Sequence, residues 1–350
     1  MRQSPCTRSH LRFFGALVLA GLSALAVSLP ATAGRASSVG PHRTLTHVTA
    51  TNSVASATTA TTVAGTATGG LPAGGVLGDY FATGLDDILA IDQSGALWMY
   101  YNDFSGDQNM FATAPSEVGS GWIGYTLAAV GRPYGGVLAG ILAIDSAGRL
   151  WYYPNNGGNS LPGPGQLTFG ARSEVGVGWG GYAVVGLVNL YSTSTVFTGL
   201  LATDRAGNLW YYPNNGANDL GTFGARSLVG TGWTGYTVDV ADFNGDGRPD
   251  LLAVDTTGNL WYYPSTGGTG TATFGSRTRV GSQWTGWQAI DVGCLVTGCG
   301  SVTSQNAFTD ILGIDPDGNM WYFPDTSTGG PPVFGSPIQV GTGRTGFRIN

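Results

Sequence analysis

From Val76 to the C-terminus the chain repeats one sequence unit five times, and this repetition limits its fold more than any other feature. A middle copy reads Leu-Leu-Ala-Val-Asp-x-x-Gly-Asn-Leu-Trp-Tyr-Tyr-Pro, followed by Phe-Gly-x-Arg and then Val-Gly-x-x-Trp-x-Gly. The first tryptophan of the unit recurs at Trp98, Trp151, Trp210, Trp261 and Trp321. Repeats of about 50 residues that each hold a few strands are typical of β-propellers, with one repeat per blade.

Each copy has the pattern of short β-strands joined by tight turns. Apolar runs such as Ile88–Ile91 have the length of a strand, and so do the Leu-Trp-Tyr-Tyr segments. The Asp-x-x-Gly between them predicts a tight turn, because Asp caps such turns and Gly accepts positive φ. Proline then ends the next strand, since it has no N–H for the sheet ladder. We therefore predict an all-β domain, a five-bladed β-propeller.

The ends of the repeat region predict that the ring is closed by the N- and C-terminal segments. Aligning the copies places both Val76 and Asn350 opposite Asp239, so the last copy stops where the first begins. We expect Phe347–Asn350 to lie beside the strand that begins at Val76. Such closure hides sheet edges that would otherwise pair with other chains.

The N-terminal region predicts export. Residues 1–33 have the features of a signal peptide, with three arginines, an apolar run over residues 13–29 and an Ala-Thr-Ala cleavage site ending at Ala33. A membrane anchor is the alternative, but a span needs about 20 apolar residues. Residues 34–75 are rich in Thr, Ser, Ala and Gly, and we expect a disordered linker. The sequence thus predicts a secreted protein without a membrane span, whose folded domain is residues 76–350.

Composition excludes several classes of function. The formal net charge is −6 and lysine is absent, whereas nucleic-acid binding needs a basic surface. His10, His42 and His47 all precede the repeats, so the domain lacks histidine general bases and histidine-ligated metals. We predict a monomeric, non-catalytic protein with no catalytic residues. A glycoside hydrolase that uses two carboxylates is the alternative, since that chemistry needs only acids.

Two cysteines, Cys294 and Cys299, follow the predicted signal peptide. An even pair in a secreted chain predicts a disulfide. The alternative is a metal pair, but zinc would need two further ligands, and no histidine lies nearby. We expect the bond to hold one loop and to contribute little to the fold, because its ring is small.

One loop resembles a known repeat family. The segment Asp242-Phe-Asn-Gly-Asp-Gly-Arg-Pro-Asp250-Leu-Leu resembles the D-x-N-x-D-G-x-x-D-L signature of FG-GAP/VCBS-type propeller repeats, and the Leu-Trp-Tyr-Tyr-Pro and Phe-Gly-x-Arg segments resemble versions found in secreted bacterial proteins. The resemblance covers residues 76–350. It implies a propeller that serves adhesion, sugar binding or protein contact, with lectin-like propellers as the nearest functional analogy.

The same loop has the residue types of a calcium site. Calcium takes six to eight oxygens in flexible geometry, and Asp242, Asn244, Asp246, the Arg248 carbonyl and Asp250 offer oxygens at suitable spacing. Three carboxylates so close together would repel one another without a cation. The alternative is an Asp/Asn-rich turn without an ion. The sequence therefore predicts calcium as the cofactor.

The repeated aromatic residues have two interpretations. The first is packing between blades, since each ring buries a large apolar area. The second is a set of sugar-stacking sites in copies two to four, which combine an indole with an arginine from the Phe-Gly-x-Arg segment. The candidates are Trp179, Trp233 and Trp284, with Arg172, Arg226 and Arg277. The arginines have their own alternative, pairing with repeated acids such as Asp204 or Asp255.

These observations predict a multivalent binding module whose partner is a glycan or an extracellular protein. A passive adhesion or spacer module is a third hypothesis. Similar sites in several blades favour the binding module, whereas one acidic cluster in the central funnel would favour the hydrolase.

Overall fold

The structure is a computed structural model, and it describes residues 74–78, 80, 85–103, 110–111, 113–131, 133–134, 138–157, 169–191, 197–287, 289–295 and 309–343. The predicted signal peptide and almost the whole predicted linker lie outside these residues. In the part of the chain that is described, no helix is long and apolar enough to cross a membrane.

The described strands form five antiparallel sheets of four strands each, arranged as the blades of a propeller. Blade 1 contains β1 (Gly74–Gly78), β2 (Asp87–Ile91), β3 (Leu97–Tyr100) and β4 (Ser116–Gly119), and blade 2 contains β5 (Thr126–Gly131), β6 (Gly140–Ile144), β7 (Leu150–Tyr153) and β8 (Ser173–Gly176). Blade 3 contains β9 (Ala183–Val188), β10 (Gly199–Thr203), β11 (Leu209–Tyr212) and β12 (Ser227–Gly230), and blade 4 contains β13 (Thr237–Ala241), β14 (Asp250–Val254), β15 (Leu260–Tyr263) and β16 (Thr278–Gly281). Blade 5 contains β17 (Ala289–Gly293), β18 (Asp310–Ile314), β19 (Met320–Phe323) and β20 (Ile338–Gly341). The predicted all-β, five-bladed fold is confirmed.

The second strand of each blade is buried on both of its faces, because a neighbouring blade covers each side of the sheet. Its residues are apolar almost throughout, as in Leu251–Ala253, whose exposed fraction is at most 1%. The third strand alternates instead: in β11, Leu209 and Tyr211 are buried while Trp210 and Tyr212 are half-buried. The half-buried set points toward the preceding blade, where the candidate site lies.

The predicted Asp-x-x-Gly turns join the second and third strands. In blade 3 the N–H of Gly207 donates to the Asp204 carbonyl at 3.0 Å, and Gly207 has φ of 76°. The Gly207 carbonyl in turn accepts the N–H of Trp233 at 2.9 Å. The turns of blades 1, 2 and 4 make the same bond, so each of these four turns also holds the loop that leads to the next blade.

The first strands of adjacent blades contact one another around the ring, including β17 of blade 5 against β1 of blade 1. Five hydrophobic clusters fill the spaces between blades, one at each junction. We name a junction by its two blades, so that the 2/3 junction lies between blades 2 and 3. The core is thus a circle of five separate interfaces.

The ring closes through contacts between blade 5 and blade 1. Asp86 donates its N–H to the Cys294 carbonyl at 2.7 Å, and its carboxylate accepts the N–H of Cys294 at 2.6 Å. The Asn102 side chain donates to the Leu295 carbonyl at 2.8 Å. Blade 1 takes its four strands from residues 74–119, beginning two residues before Val76. The prediction for Phe347–Asn350 falls outside the described residues.

Candidate binding site at the blade junctions

The first tryptophan of every repeat is fixed by the aspartate of its own turn. In blade 3 the indole N–H of Trp210 donates to Asp204 at 2.8 Å, while the other carboxylate oxygen accepts the N–H groups of Ala206 and Asn208 at 2.9 Å. The hydrogen bonds from Asn208 and Trp210 lower the pKa of Asp204 to about 2. The same indole–carboxylate bond, between 2.7 and 2.9 Å, occurs at Trp98, Trp151, Trp261 and Trp321.

The turn aspartates are therefore not partners of the junction arginines. Asp204 and Asp255 use their oxygens for the turn and the indole. Among the described residues the one ion pair joins Arg248 to Asp246, at 3.8 Å. The suggested pairing of arginines with these acids is wrong, because the tight turn directs its carboxylate at its own backbone.

Each junction arginine lies instead on an indole and between two tyrosine hydroxyls. The Arg226 guanidinium stacks 4.0 Å from the ring centre of Trp210. Its Nη1 donates to the hydroxyls of Tyr182 at 2.5 Å and Tyr212 at 3.2 Å. Tyr182 comes from the loop leading out of blade 2, whereas the other three residues belong to blade 3. The arginine therefore bridges two blades.

The constellation is repeated at three consecutive junctions. At the 1/2 junction, Arg172 stacks 3.9 Å from Trp151 and donates to Tyr125 and Tyr153. At the 3/4 junction, Arg277 stacks 3.8 Å from Trp261 and donates to Tyr236 at 3.1 Å and Tyr263 at 3.4 Å. The three sites share residue types, partners and stacking distance.

The candidate indoles Trp179, Trp233 and Trp284 are buried, with exposed fractions of 6%, 8% and 7%. Each packs against two aromatic rings at its junction, as Trp179 does against Tyr182 at 5.2 Å and Tyr212 at 4.9 Å between ring centres. Burial leaves these indoles no free face for stacking a sugar ring. The first interpretation, packing between blades, describes them.

The structure also changes which arginine accompanies which indole. The sequence grouped Trp179 with Arg172 because both belong to copy two. The rings around Trp179 belong to Tyr182 and Tyr212, and these hold Arg226 of the next blade. The tryptophan of one copy thus meets the arginine of the following copy, because the loop after each fourth strand crosses to the next blade.

An open pocket lies beside this constellation at the 2/3 junction. Its volume is about 260 Å³, and its wall includes Trp179, Tyr182, Tyr212, Leu220 and Phe223. Leu220 is 58% exposed. The pocket therefore combines aromatic walls, an exposed apolar residue and the tyrosines that hold Arg226.

The 4/5 junction has lost the polar part of the constellation. Trp287 and Phe323 stand where the other junctions have tyrosines, and Pro337 stands in place of the arginine. A Cβ on Gly313 would lie 2.8 Å from the Trp287 ring, so the glycine makes room for the larger indole. The two hydroxyls and the guanidinium are absent together, which indicates that they act as a unit.

The Asp242–Asp250 loop directs its oxygens at its own backbone. Asp242 accepts the N–H groups of Gly245, Asp246 and Gly247 at 2.7–3.1 Å. Asn244 accepts the N–H of Asp246, and Asp246 accepts that of Arg248, both at 2.8 Å. Within the described residues, no three acidic, cysteine or histidine side chains are placed to hold a metal ion together. The residue types suit calcium, but this arrangement is that of a hydrogen-bonded turn, so calcium binding stays a prediction.

Asp250 is fully buried and joins the loop to its blade. Its carboxylate accepts the N–H of Ser265 at 2.7 Å, the hydroxyl of Tyr262 at 3.0 Å and the N–H of Phe243 at 3.2 Å. Burial, with a smaller effect of Asp246 and Asp242, raises the pKa of Asp250 to about 6. Asp250 therefore has a structural role that the sequence did not suggest.

Blades 1 and 5 have a buried aspartate at the same position as Asp250, whereas blades 2 and 3 do not. Asp87 and Asp310 are buried at the start of the second strand and accept backbone N–H groups at 2.9 Å. Blades 2 and 3 have glycine at this position, and a Cβ on Gly140 would lie 2.7 Å from the hydroxyl of Tyr152. A tyrosine thus occupies the space that the aspartate fills elsewhere.

Cys294 is disulfide-bonded. Its predicted partner, Cys299, lies outside the described residues, so the pairing stays a prediction.

Repeated four-stranded blades in a ring and equivalent sites at the junctions define a repeat β-propeller. Residues 199–253, within blades 3 and 4, match the model of the FG-GAP-like repeat. The repeat match and the five-bladed ring together support an FG-GAP β-propeller. This fold provides a repeat-based binding or adhesion module. No curated protein matches the chain.

Proposed function

We propose that this protein is a secreted, non-catalytic module that binds a glycan at several blade junctions at once. The observation that carries the proposal is the arginine, tryptophan and two-tyrosine constellation, repeated at the 1/2, 2/3 and 3/4 junctions. Several weak sites acting on one polymer give an apparent affinity well above that of a single site.

The chemistry of the 2/3 pocket suits a sugar. Binding sites for small ligands combine apolar and aromatic walls with a few fixed polar groups, and this pocket has Phe223, Leu220 and two tyrosines held by Arg226. The apolar face of a pyranose would lie on the rings, while its hydroxyls would meet the tyrosine hydroxyls and the guanidinium. In this form of the proposal the tyrosines and Phe223 contact the sugar, while Trp179 packs against the two tyrosine rings and holds them in place.

A non-catalytic role is supported by the residues available for chemistry. The region from Val76 onward contains neither histidine nor lysine. Asp250 and Asp310, whose pKa values are raised by burial to about 6, have exposed fractions of at most 3%. Their burial keeps them from contact with a substrate in this conformation.

A glycan array probed with the full-length protein tests the proposal. We expect binding that is weakened by Arg226→Gln and unchanged by Arg205→Gln, which removes an exposed turn arginine outside the constellation. Release of reducing sugar from a bound glycan would instead favour the hydrolase, and absence of any binding would favour the passive spacer.

We also propose that calcium stabilises the Asp242–Asp250 loop, on the basis of its residue types and spacing. To bind the ion, Asp242 and Asp246 would have to exchange backbone hydrogen bonds for calcium contacts. Calcium at 100 times its Kd would then raise the free energy of unfolding by about 2.7 kcal/mol. Melting curves with calcium and with chelator provide the measurement.

Asp246→Ala should abolish the calcium effect, while Asp317→Ala, which removes an exposed acid in blade 5, should leave it intact. Equal melting temperatures with calcium and with chelator in the unmodified protein would contradict the proposal.

A further inference from the structure

The three junction arginines are exposed cations with no counter-ion among the residues that the structure describes. Arg172, Arg226 and Arg277 are exposed, and no carboxylate lies within ion-pair distance of them in the described part of the chain. Within the described residues, Nη1 is the one guanidinium nitrogen of each arginine that donates to the protein, and it donates to the two tyrosine hydroxyls. Because guanidinium has five N–H donors in a planar fork, the Nε and Nη2 donors are left for a ligand.

The unused donors are nonetheless held in one orientation. Arg226 lies on one face of Trp210 at 4.0 Å, and the N–H of that indole is bonded to the Asp204 carboxylate at 2.8 Å. The carboxylate increases the electron density of the indole and so strengthens its attraction for the cation above it. A guanidinium fixed by a ring and two hydroxyls loses little conformational entropy when it binds a carboxylate or a sulfate.

The arrangement of the three cations also indicates what kind of anion they suit. They occur one per blade at consecutive junctions, which a closed five-bladed ring places ~72° apart. The chain as a whole is acidic, with a formal net charge of −6, so its surface as a whole does not attract a polyanion, and an anion has to be held locally by the junction arginines. Each junction therefore suits one anionic group on a sugar whose ring the neighbouring aromatic side chains can contact.

We propose that Arg172, Arg226 and Arg277 bind the anionic groups of an acidic polysaccharide, one carboxylate or sulfate per junction. This inference rests on the proposed glycan-binding function and names the class of glycan. Each arginine would form two parallel hydrogen bonds with one anionic group, while the neighbouring tyrosines contact the sugar ring that carries it.

Polygalacturonate and its fully methyl-esterified form provide a matched pair of probes, since they differ only at the carboxyl groups, where a methyl ester removes the charge. We expect the full-length protein to bind polygalacturonate at least about tenfold more tightly than the ester, with the difference shrinking as salt is raised. Chondroitin sulfate, with sulfate as well as carboxylate, extends the comparison to the second anion.

The arginine variants test whether these residues are responsible. Each of Arg172→Gln, Arg226→Gln and Arg277→Gln should lower the affinity for polygalacturonate about three- to tenfold, and the triple variant about 100-fold or more, because the sites act on one chain. Arg205→Gln removes the same charge from a turn residue that lies against Gly181 at the 2/3 junction. It should have no effect, because Arg205 has no hydrogen bond or stacking contact with the constellation among the described residues. Arg226→Lys keeps the charge but not the planar fork, so we expect partial binding. Melting temperatures show which variants are folded.

The outcomes separate this inference from the proposed function. Equal binding of polygalacturonate and its ester by the unmodified protein, or equally tight binding of polygalacturonate by the unmodified protein and the triple variant, would overturn the role of charge while leaving glycan binding in place. Binding of poly-glutamate as tight as that of polygalacturonate would overturn the assignment to a polysaccharide. Failure to bind any neutral or acidic glycan would overturn the proposed function itself.

Discussion

Tryptophan has two separate roles in each repeat, and the difference lies in what surrounds each indole. The first, such as Trp210, is half-buried, bonded to a turn aspartate and covered by an arginine. The second, such as Trp179, is almost fully enclosed by rings from the next blade. Both follow glycine-rich turns, so composition alone does not distinguish them.

Trp179→Ala should remove a large part of the 2/3 junction core. We expect the free energy of unfolding to fall by about 3–5 kcal/mol, as for other buried aromatic residues. Leu220→Ala at the same junction should change it by no more than about 0.5 kcal/mol, because Leu220 is 58% exposed. Chemical denaturation provides both values. Unchanged stability of Trp179→Ala would contradict the core role.

The buried and exposed aspartates should give the protein a stability maximum in mildly acidic solution. Burial raises the pKa of Asp310 to about 6, above the unfolded value of 3.8, so the folded state binds this proton more tightly. The free energy of unfolding should therefore rise as the pH falls from about 7 to about 4. Turn residues such as Asp204, with a pKa of about 2, act in the opposite sense, and their contribution is lost below the unfolded value.

Denaturation at a series of pH values, with chelator present, measures this profile. We expect the free energy of unfolding to be highest between about pH 4 and 5. In Asp310→Asn it should rise less as the pH falls from about 7 to about 5, since the amide does not titrate. Stability that declines steadily from neutral to acidic pH would show that Asp310 is not buried as described.

At the scale of the elements, the turn between the second and third strands has two tasks. It reverses the chain within a blade, and its glycine carbonyl holds the loop that crosses to the next blade, as Gly207 holds Trp233. The turn thus couples the local hairpin to the junction. Sequence predicted the hairpin, while the link to the next blade became evident from the structure.

Two glycines separate the cost of backbone strain from that of steric contact. Gly207 and Gly232 both have positive φ, of 76° and 82°. A Cβ on Gly207 would lie 2.4 Å from the Thr234 hydroxyl, whereas one on Gly232 would meet nothing within 4 Å. Gly232→Ala should lower the free energy of unfolding by about 1 kcal/mol through strain alone. Gly207→Ala should lower the free energy of unfolding by more than this, because its Cβ also meets the Thr234 hydroxyl. Equal effects of the two substitutions in chemical denaturation would contradict this steric contact.

The strands and turns were predictable because their signals are local. An apolar run of strand length, Asp-x-x-Gly and a following proline each depend on a few neighbouring residues, and the five blades follow from their repetition. The partners of the arginines were not predictable in this way, since Arg226 joins a tyrosine of blade 2 to two residues of blade 3. The available signal was the shared loss of both tyrosines and the arginine where copies four and five meet, at Trp287, Phe323 and Pro337.

At the scale of the molecule, the ring turns one repeated sequence into a series of similar interfaces. Five hydrophobic clusters fill the junctions, and three of these junctions carry the arginine constellation at their surface. Because the ring holds these sites on one molecule, a polymer bound at one junction meets the next at a high effective concentration. The contacts between Asp86, Asn102 and blade 5 close that ring.

The number of equivalent sites on one chain tests the central claim, that the junctions bind ligand as repeated units. Equilibrium dialysis of the full-length protein against galacturonate, a single sugar with one carboxylate, counts these sites directly. We expect about three sites of similar affinity and about two in Arg226→Gln, since each constellation binds independently when the ligand is short. A single site, or a count unchanged by Arg226→Gln, would contradict the claim.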